Sequence, residues 1–323
     1  MIDRRTLLAL AAAPLLAATA PWVHAQGDDF PSRPITLVAP FPAGSVTDAV
    51  TRVLANSLSQ QLGKPVVVEN KAGAQGTIGA AFVAAAKPDG YTLLVGSSGM
   101  FVAKSFYKTL PYDPMESFTP VAAVGSTAMM FVVPENSPLR TIADLAAASK
   151  KQPVSMAYGS PTGQVAVALF STVTQTKPLA VSYRGIPQAI TDMLGGQVQV
   201  AVVDVGNALA QVNGGKARAL AISSTKRYAG APQVPTLQES YPRAAGALET
   251  IIAIQAPAGT LPAVVQKLDT ALKQAMASTE VKARFQVLNT SVLSLSSKDL
   301  AARLRADNPR WESLMKQAGI APQ

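Results

Sequence analysis

The chain has 323 residues, a formal net charge of +9, no cysteine, and a single histidine, His24. With no Cys, and with His confined to the extreme N-terminus, the rest of the chain cannot build Ser-His-Asp or Cys-His nucleophilic machinery, the usual zinc sites, disulfides or a lipid-bearing cysteine. Lys and Arg are scattered and aromatics make up only 6%, which argues against nucleic-acid binding and leaves solubility and attraction of anions as the role of the charge.

Arg4-Arg5, the apolar stretch Leu7 to Ala20 and the small-x-small triplet Val23-His24-Ala25 have the grammar of a signal peptide over residues 1–25, with Gln26 as the mature start. The apolar stretch is too short to span a bilayer, so export as a soluble protein without a lipid anchor is expected. Arg4-Arg5 leaves both the general and the twin-arginine routes open.

Beyond this segment, strands and helices alternate, which predicts an α/β fold with mostly parallel sheets. Ile35–Ala39 reads as a buried strand, and Pro40–Gly44 as a turn. Ala49, Val50, Val53, Leu54, Leu58 and Leu62 then recur at helical spacing up to Gly63. A strand at Val66–Val68, an Ala-rich helix at Ala80–Ala86 and a strand at Tyr91–Val95 follow. Gly73, Gly76 and Gly79 have no Gly-Lys-Ser/Thr after them, so close packing explains them better than a phosphate loop. A second block holds strands at Met129–Val133, Val154–Tyr158, Val181–Tyr183, Val200–Val203 and Ala219–Ser223, with helices at Ile142–Ser149 and from Pro161 to about Thr174. The C-terminal part reads as helices Pro262–Ser278, Val281–Leu288 and Lys298–Ala318.

Two strand-to-helix turns are candidates for holding an anion. In Phe41-Pro42-Ala43-Gly44-Ser45-Val46-Thr47-Asp48, free amides and the helix dipole meet, and both favour a carboxylate. Ser45 and Asp48 also have capping-box spacing, and Asp48 itself is expected to be structural. Tyr158-Gly159-Ser160-Pro161-Thr162-Gly163-Gln164 repeats the grammar, with Ser160 as N-cap and Pro161 at N1. A plain cap would explain either turn alone; facing each other they could grip one anion from two sides. Gly96-Ser97-Ser98-Gly99 adds hydroxyls at the carboxyl edge of a strand and lacks nucleophile-elbow spacing.

At these residues the chain resembles the Bug-type substrate-binding proteins of the tripartite tricarboxylate transporter systems. The resemblance is carried by Pro34-Ile35-Thr36-Leu37-Val38, Val67-Val68-Glu69-Asn70, Pro88-Asp89-Gly90-Tyr91-Thr92, Leu110-Pro111-Tyr112-Asp113-Pro114, Asp192-Met193-Leu194-Gly195-Gly196-Gln197-Val198 and Ala256-Pro257-Ala258-Gly259-Thr260. It implies a two-lobed periplasmic flytrap of the type II class, each lobe a mixed, mostly parallel sheet flanked by helices. Crossings near 127 and 250 would make residues 26–127 plus 250–323 one lobe and 128–249 the other.

The resemblance further implies a small organic carboxylate held by amides and hydroxyls, and delivery to a membrane permease by a monomer that is no enzyme and uses no cofactor or metal. A sensor subunit signalling to a membrane receptor is the alternative. The expected binding residues are Phe41, Pro42, Ala43, Gly44, Ser45, Thr47, Ser97, Ser98, Tyr158, Ser160, Thr162, Gly163 and Gln164, with Asp204 and Asn207 as a polar pair. The chain departs from the family where Ser45 replaces a second glycine, where Gln164-Val165-Ala166-Val167 replaces a small-polar, His-containing run, and where Ile251 replaces an aromatic. The carboxylate anchor is therefore expected to persist in a more apolar pocket of altered specificity.

Overall fold

The computed structural model describes residues 30–244 and 248–322; the expected signal peptide lies outside them. The first elements are β1 (Ile35–Ala39), α1 (Val46–Leu62), β2 (Val66–Asn70), α2 (Thr77–Ala84) and β3 (Thr92–Ser97), followed by a 3-10 segment (Ser98–Ser105). Then come β4 (Phe118–Pro134), α3 (Ile142–Lys151), β5 (Ser155–Tyr158), α4 (Pro161–Thr174), β6 (Leu179–Ser182), α5 (Ile186–Leu194), β7 (Val200–Asp204), α6 (Val205–Asn213) and β8 (Ala217–Ile222). A short α7 (Leu237–Ser240) leads to β9 (Glu249–Pro257), α8 (Pro262–Ala277), α9 (Thr279–Val287), β10 (Ser291–Leu295) and α10 (Ser297–Gln317).

Local chemistry accounts for the ends of most helices. Ser45, Ser160, Ser278 and Ser296 each accept a bond from the third amide of the helix they open. Thr141 and Asp144 form a reciprocal capping box on α3. Gly63 ends α1 at φ +63°, a conformation with little steric cost for glycine.

The strands join in the order β2-β1-β3-β9-β4-β7-β5-β6, with β8 and β10 also on β4. Parallel pairs are β1 with β2 and β3, and β5 with β6 and β7. Among the described residues, every antiparallel pair runs through β4 or β9. The strand expected at Met129–Val133 is only the end of β4, which starts at Phe118. Its residues from Phe118 to Ala128 pair with β9, whereas Met129 to Pro134 pair with β7 and β8. Cover on both faces explains why Val121 to Val133 reads as a nearly unbroken apolar run rather than an alternation.

From Pro31 on, the described chain forms one unit. The last part of β4 alternates between two cores. Met129, Phe131 and Val133 face Leu145, Phe170 and Trp311. Met130 and Val132 face Ile190, Met193 and Leu209. Near β1 and β3 a further core holds Val38, Phe41, Leu94 and Met100. Helix α10 is rooted in two cores: Leu300 and Leu304 pack with Phe101, Ala123 and Ile251, while Trp311 and Met315 pack with Phe131 and Phe170. No helix of the described residues is long and apolar enough to cross a membrane.

Phe131 is fully buried, with its ring centroid 5.7 Å from that of Phe170. Phe131→Ala should cost about 3–5 kcal/mol through lost transfer energy and the cavity left behind. Urea unfolding should show a lower midpoint with an unchanged slope.

Candidate functional site

A row of side chains crosses one face of the sheet where β4 changes partners. Ser97 on β3 lies opposite Ile252 on β9, Thr250 on β9 opposite Thr127 on β4, and Met129 on β4 opposite Asp204 on β7. Directly opposed residues share a face, and so do residues two apart on one strand. All six therefore stand on the same side, and all six line one cavity. The starts of α1, α4, α5 and α6, contributing Ser45 to Thr47, Ser160 with Thr162, Gly185 with Ile186, and Asp204, form its other walls. These helices follow β1, β5, β6 and β7, so the cavity sits beyond the carboxyl ends of parallel strands, where α/β sheets bind ligands.

The walls are in close contact. A β-carbon added to Gly159 would lie 2.2 Å from the Gly185 carbonyl carbon, and one on Gly185 would lie 2.7 Å from Pro42 Cγ. One on Gly206 would lie 3.0 Å from Val46 Cγ2, and one on Gly99 would lie 2.6 Å from Thr162 Oγ1. Glycine at these positions lets the α1 start meet the α5 and α6 starts, and lets the α4 start meet the segment after β3. Gln75 Nε2 donates to Gln164 Oε1 (2.9 Å), and Tyr228 Oη to Asn289 Oδ1 (3.2 Å). The cavity left between these walls is small, about 30 Å³.

Of the expected binding residues, Phe41, Pro42, Ser45, Thr47, Ser97, Ser160, Thr162 and Asp204 come together here. Ala43 and Gly44 are exposed beside it, with Gly44 at φ +83°. Ser98 Oγ turns away and accepts from the Ile251 amide at 3.1 Å. Tyr158 belongs to the core under α4. Gly163 donates its amide to Ser160 Oγ at 3.1 Å, Gln164 faces Gln75, and Asn207 holds Asp204. Sequence reasoning did not find Thr127, Met129, Gly185, Ile186, Thr250 or Ile252. The available signals were two threonines set in apolar runs and the Gly-x-Pro opening of α5.

Four hydroxyls give this cavity its character. Ser97 Oγ, Thr127 Oγ1, Thr162 Oγ1 and Thr250 Oγ1 are buried and have no hydrogen-bond partner among the described residues. A buried polar group left unpaired costs about 1–3 kcal/mol, so four around one cavity form a concentrated deficit. Val46, Thr47 and Thr162 line the same space, and their amides precede the first intrahelical bonds of α1 and α4.

Among the described residues, Asp204 is the one ionisable side chain lining the cavity. It caps α6 and accepts from the Asn207 amide at 3.0 Å and from Asn207 Nδ2 at 2.9 Å. Burial pushes its carboxyl above the usual aspartate range, opposed by those bonds. Asp48 behaves oppositely. Burial raises its carboxyl too, but Arg52, Asn70 Nδ2 at 2.9 Å and the Gly44 amide at 3.1 Å outweigh it and hold it below the usual range. Asp48 is thus a brace for the first turn, with its charge spent inside the protein.

The sheet topology and the cleft-like site define a periplasmic-binding-protein class, and comparison with solved structures bears this out. The periplasmic binding protein BugD superposes with a TM-score of 0.84 at 34% identity, over 91% of this chain and 100% of BugD. R. palustris Rpa4515 with adipate gives 0.86 at 29% identity, over 91% and 100%. In sequence, Protein BugT of Bordetella pertussis is 32% identical over 301 residues, 91% of this chain and 92% of BugT. Residues 50–320 match the tripartite tricarboxylate transporter family receptor, and the chain belongs to that family.

Because its folded pKa is raised, Asp204 holds its proton more tightly in the folded state than in the unfolded chain. It therefore subtracts stability as pH rises from about 4, the unfolded value, through the folded one. Asp204→Asn keeps a capping oxygen and removes that loss. Its melting temperature should exceed that of the wild type near pH 8, with the gap closing toward about pH 4. A variant that melts lower at the alkaline end would contradict this.

Proposed function

We propose that this chain is an exported periplasmic receptor that holds a small organic carboxylate in this cavity and hands it to a tripartite tricarboxylate-type permease without chemical change. The observation that carries the reading is the set of four unpartnered hydroxyls gathered with the α1 and α4 starts around one space. Hydroxyls can donate to a carboxylate, and helix starts favour negative charge. The structure of Rpa4515 with adipate supports the same ligand class.

The lobes in this reading are residues 26–127 with 250–323, and residues 128–249. The change of partners along β4 at Ala128 and Met129 favours that division. The walls lie in close contact in this structure. The walls must part for entry, and the guest must favour the closed state over the open one.

A thermal-shift screen against mono-, di- and tricarboxylates and aromatic acids tests the proposal. A true guest at 100 times its Kd adds about 2.7 kcal/mol of stability. Ser97→Ala and Thr250→Val should each weaken binding about tenfold or more, a loss of at least ~1.4 kcal/mol. Neither should destabilise the unliganded protein, because each removes an unpaired buried group. Lower unliganded stability with binding intact would make these hydroxyls structural and place the site elsewhere. Gly185→Ala should also weaken binding, since its new methyl would meet Pro42 as the walls close. In a deletion strain, lost uptake supports transport, whereas lost induction with uptake intact supports the sensor role.

A further inference from the structure

Resting on that receptor reading and its two lobes, we infer that Gln75 and Asn289 are clasps. Each carries a side-chain hydrogen bond from one lobe to the other, and together they populate the closed form before any guest arrives. They are positioning residues, since neither lines the cavity. Gln75 Nε2 donates to Gln164 Oε1 at 2.9 Å, and Asn289 Oδ1 accepts from Tyr228 Oη at 3.2 Å. Gln75 and Asn289 fall in the lobe of residues 26–127 with 250–323, whereas Gln164 and Tyr228 fall in that of residues 128–249.

The backbone singles these two residues out. Among the described residues, four that are not glycine have a positive φ: Ala74 (+44°), Gln75 (+53°), Gln175 (+54°) and Asn289 (+51°). Left-handed backbone is costly for most side chains, and it recurs at clamps and switch regions. Gln175 simply closes α4, and Ala74 adjoins Gln75 in one turn. The other two make the lobe-crossing contacts. Glycine would hold either conformation at less cost, as Gly63 does at the end of α1. What glycine could not supply is the amide that crosses.

Both clasps stand on firm ground beside the cavity. A β-carbon on Gly76 would lie 3.1 Å from Met100 Cε and 3.4 Å from Phe41 Cζ, so the turn carrying Gln75 rests on the core under the first wall. One on Gly206 would lie 2.6 Å from the Leu288 carbonyl oxygen, so the end of α9 beside Asn289 abuts the start of α6. Gln164 follows two residues after Thr162, which lines the cavity. Tyr228 and Asn289 line a neighbouring cavity that shares Thr127 with it. The clasps are also weak enough to release. Gln75 Oε1 is buried without a partner among the described residues, which offsets part of what Nε2 contributes. At the net strength of a neutral hydrogen bond, each clasp favours the closed form roughly two- to tenfold. A guest that binds the closed form gains apparent affinity as that form becomes more populated.

The chain has no cysteine, so Lys87→Cys and Lys177→Cys, exposed positions in different lobes, accept a pair of spin labels without competition. Double electron–electron resonance on the labelled protein, with no acid added, should show two distances, one of them matching this structure. Gln75→Gly, which keeps the turn and removes the amide, should lower the ratio of closed to open at least about twofold. Tyr228→Phe, which removes the other bond, should do the same. Gln164→Ala breaks the first clasp without touching the left-handed turn, so it guards against a backbone artefact and should match Gln75→Gly. A single open distance in the wild type, or variants as closed as the wild type, overturns the inference. Because no acid is present, neither result bears on the receptor reading. The carboxylate screen decides that reading separately, and a protein that fails the screen but opens on loss of either bond would keep the clasps and lose the receptor.

Discussion

The antiparallel pairing of β4 with β9 is the constraint from which the rest follows. It sets Thr127 opposite Thr250 at the level where β4 leaves one set of partners for another. Sheet hydrogen bonds satisfy the backbone there but leave both threonine hydroxyls without partners. A slip of one residue would turn those hydroxyls to the other face and bring apolar side chains into the cavity. The register of two distant segments thereby determines the chemistry of the site, and the helix starts only complete it.

Charge is handled in two ways around that register. Asp48 is neutralised within the fold by Arg52, Asn70 and the Gly44 amide, so the first turn is stiff without presenting charge to the cavity. Asp204 is buried and held by the Asn207 amide and side chain, with burial pushing its carboxyl above the usual range. The other polar side chains lining the space are hydroxyls, each able to donate or accept. Such a lining needs no long side chains to be ordered around a guest.

Much of this was legible from local patterns. The apolar runs at Ile35, Val66, Val154 and Val200 mark β1, β2, β5 and β7, and Ser45 and Ser160 mark helix starts through their capping chemistry. Both anion-ready turns were therefore visible, and they line one cavity. The first half of β4, β9 and β10 were not visible. Thr119 to Ser126 is rich in small residues, and β9 follows α7 without a strong turn signal. Their pairings join residues more than 100 positions apart, so nothing in the neighbouring sequence encodes them. Helix α5 was missed because Gly185 gives no side-chain cap. The site residues lost to sequence reading, Thr127, Thr250 and Gly185, belong to those same elements.

Helix α10 carries a consequence of its own. Leu300 and Leu304 anchor it in one core, Trp311 and Met315 in another, and Pro309 lies between the two anchor pairs. Proline supplies no amide to the ladder, so the helix is mechanically weakest at that turn. The rod is thus pinned in both cores, and the pairing of β4 with β9 is not the one link between them. The rod's weakest turn therefore falls between two fixed ends, where a change in the angle between the two cores would cost the helix least.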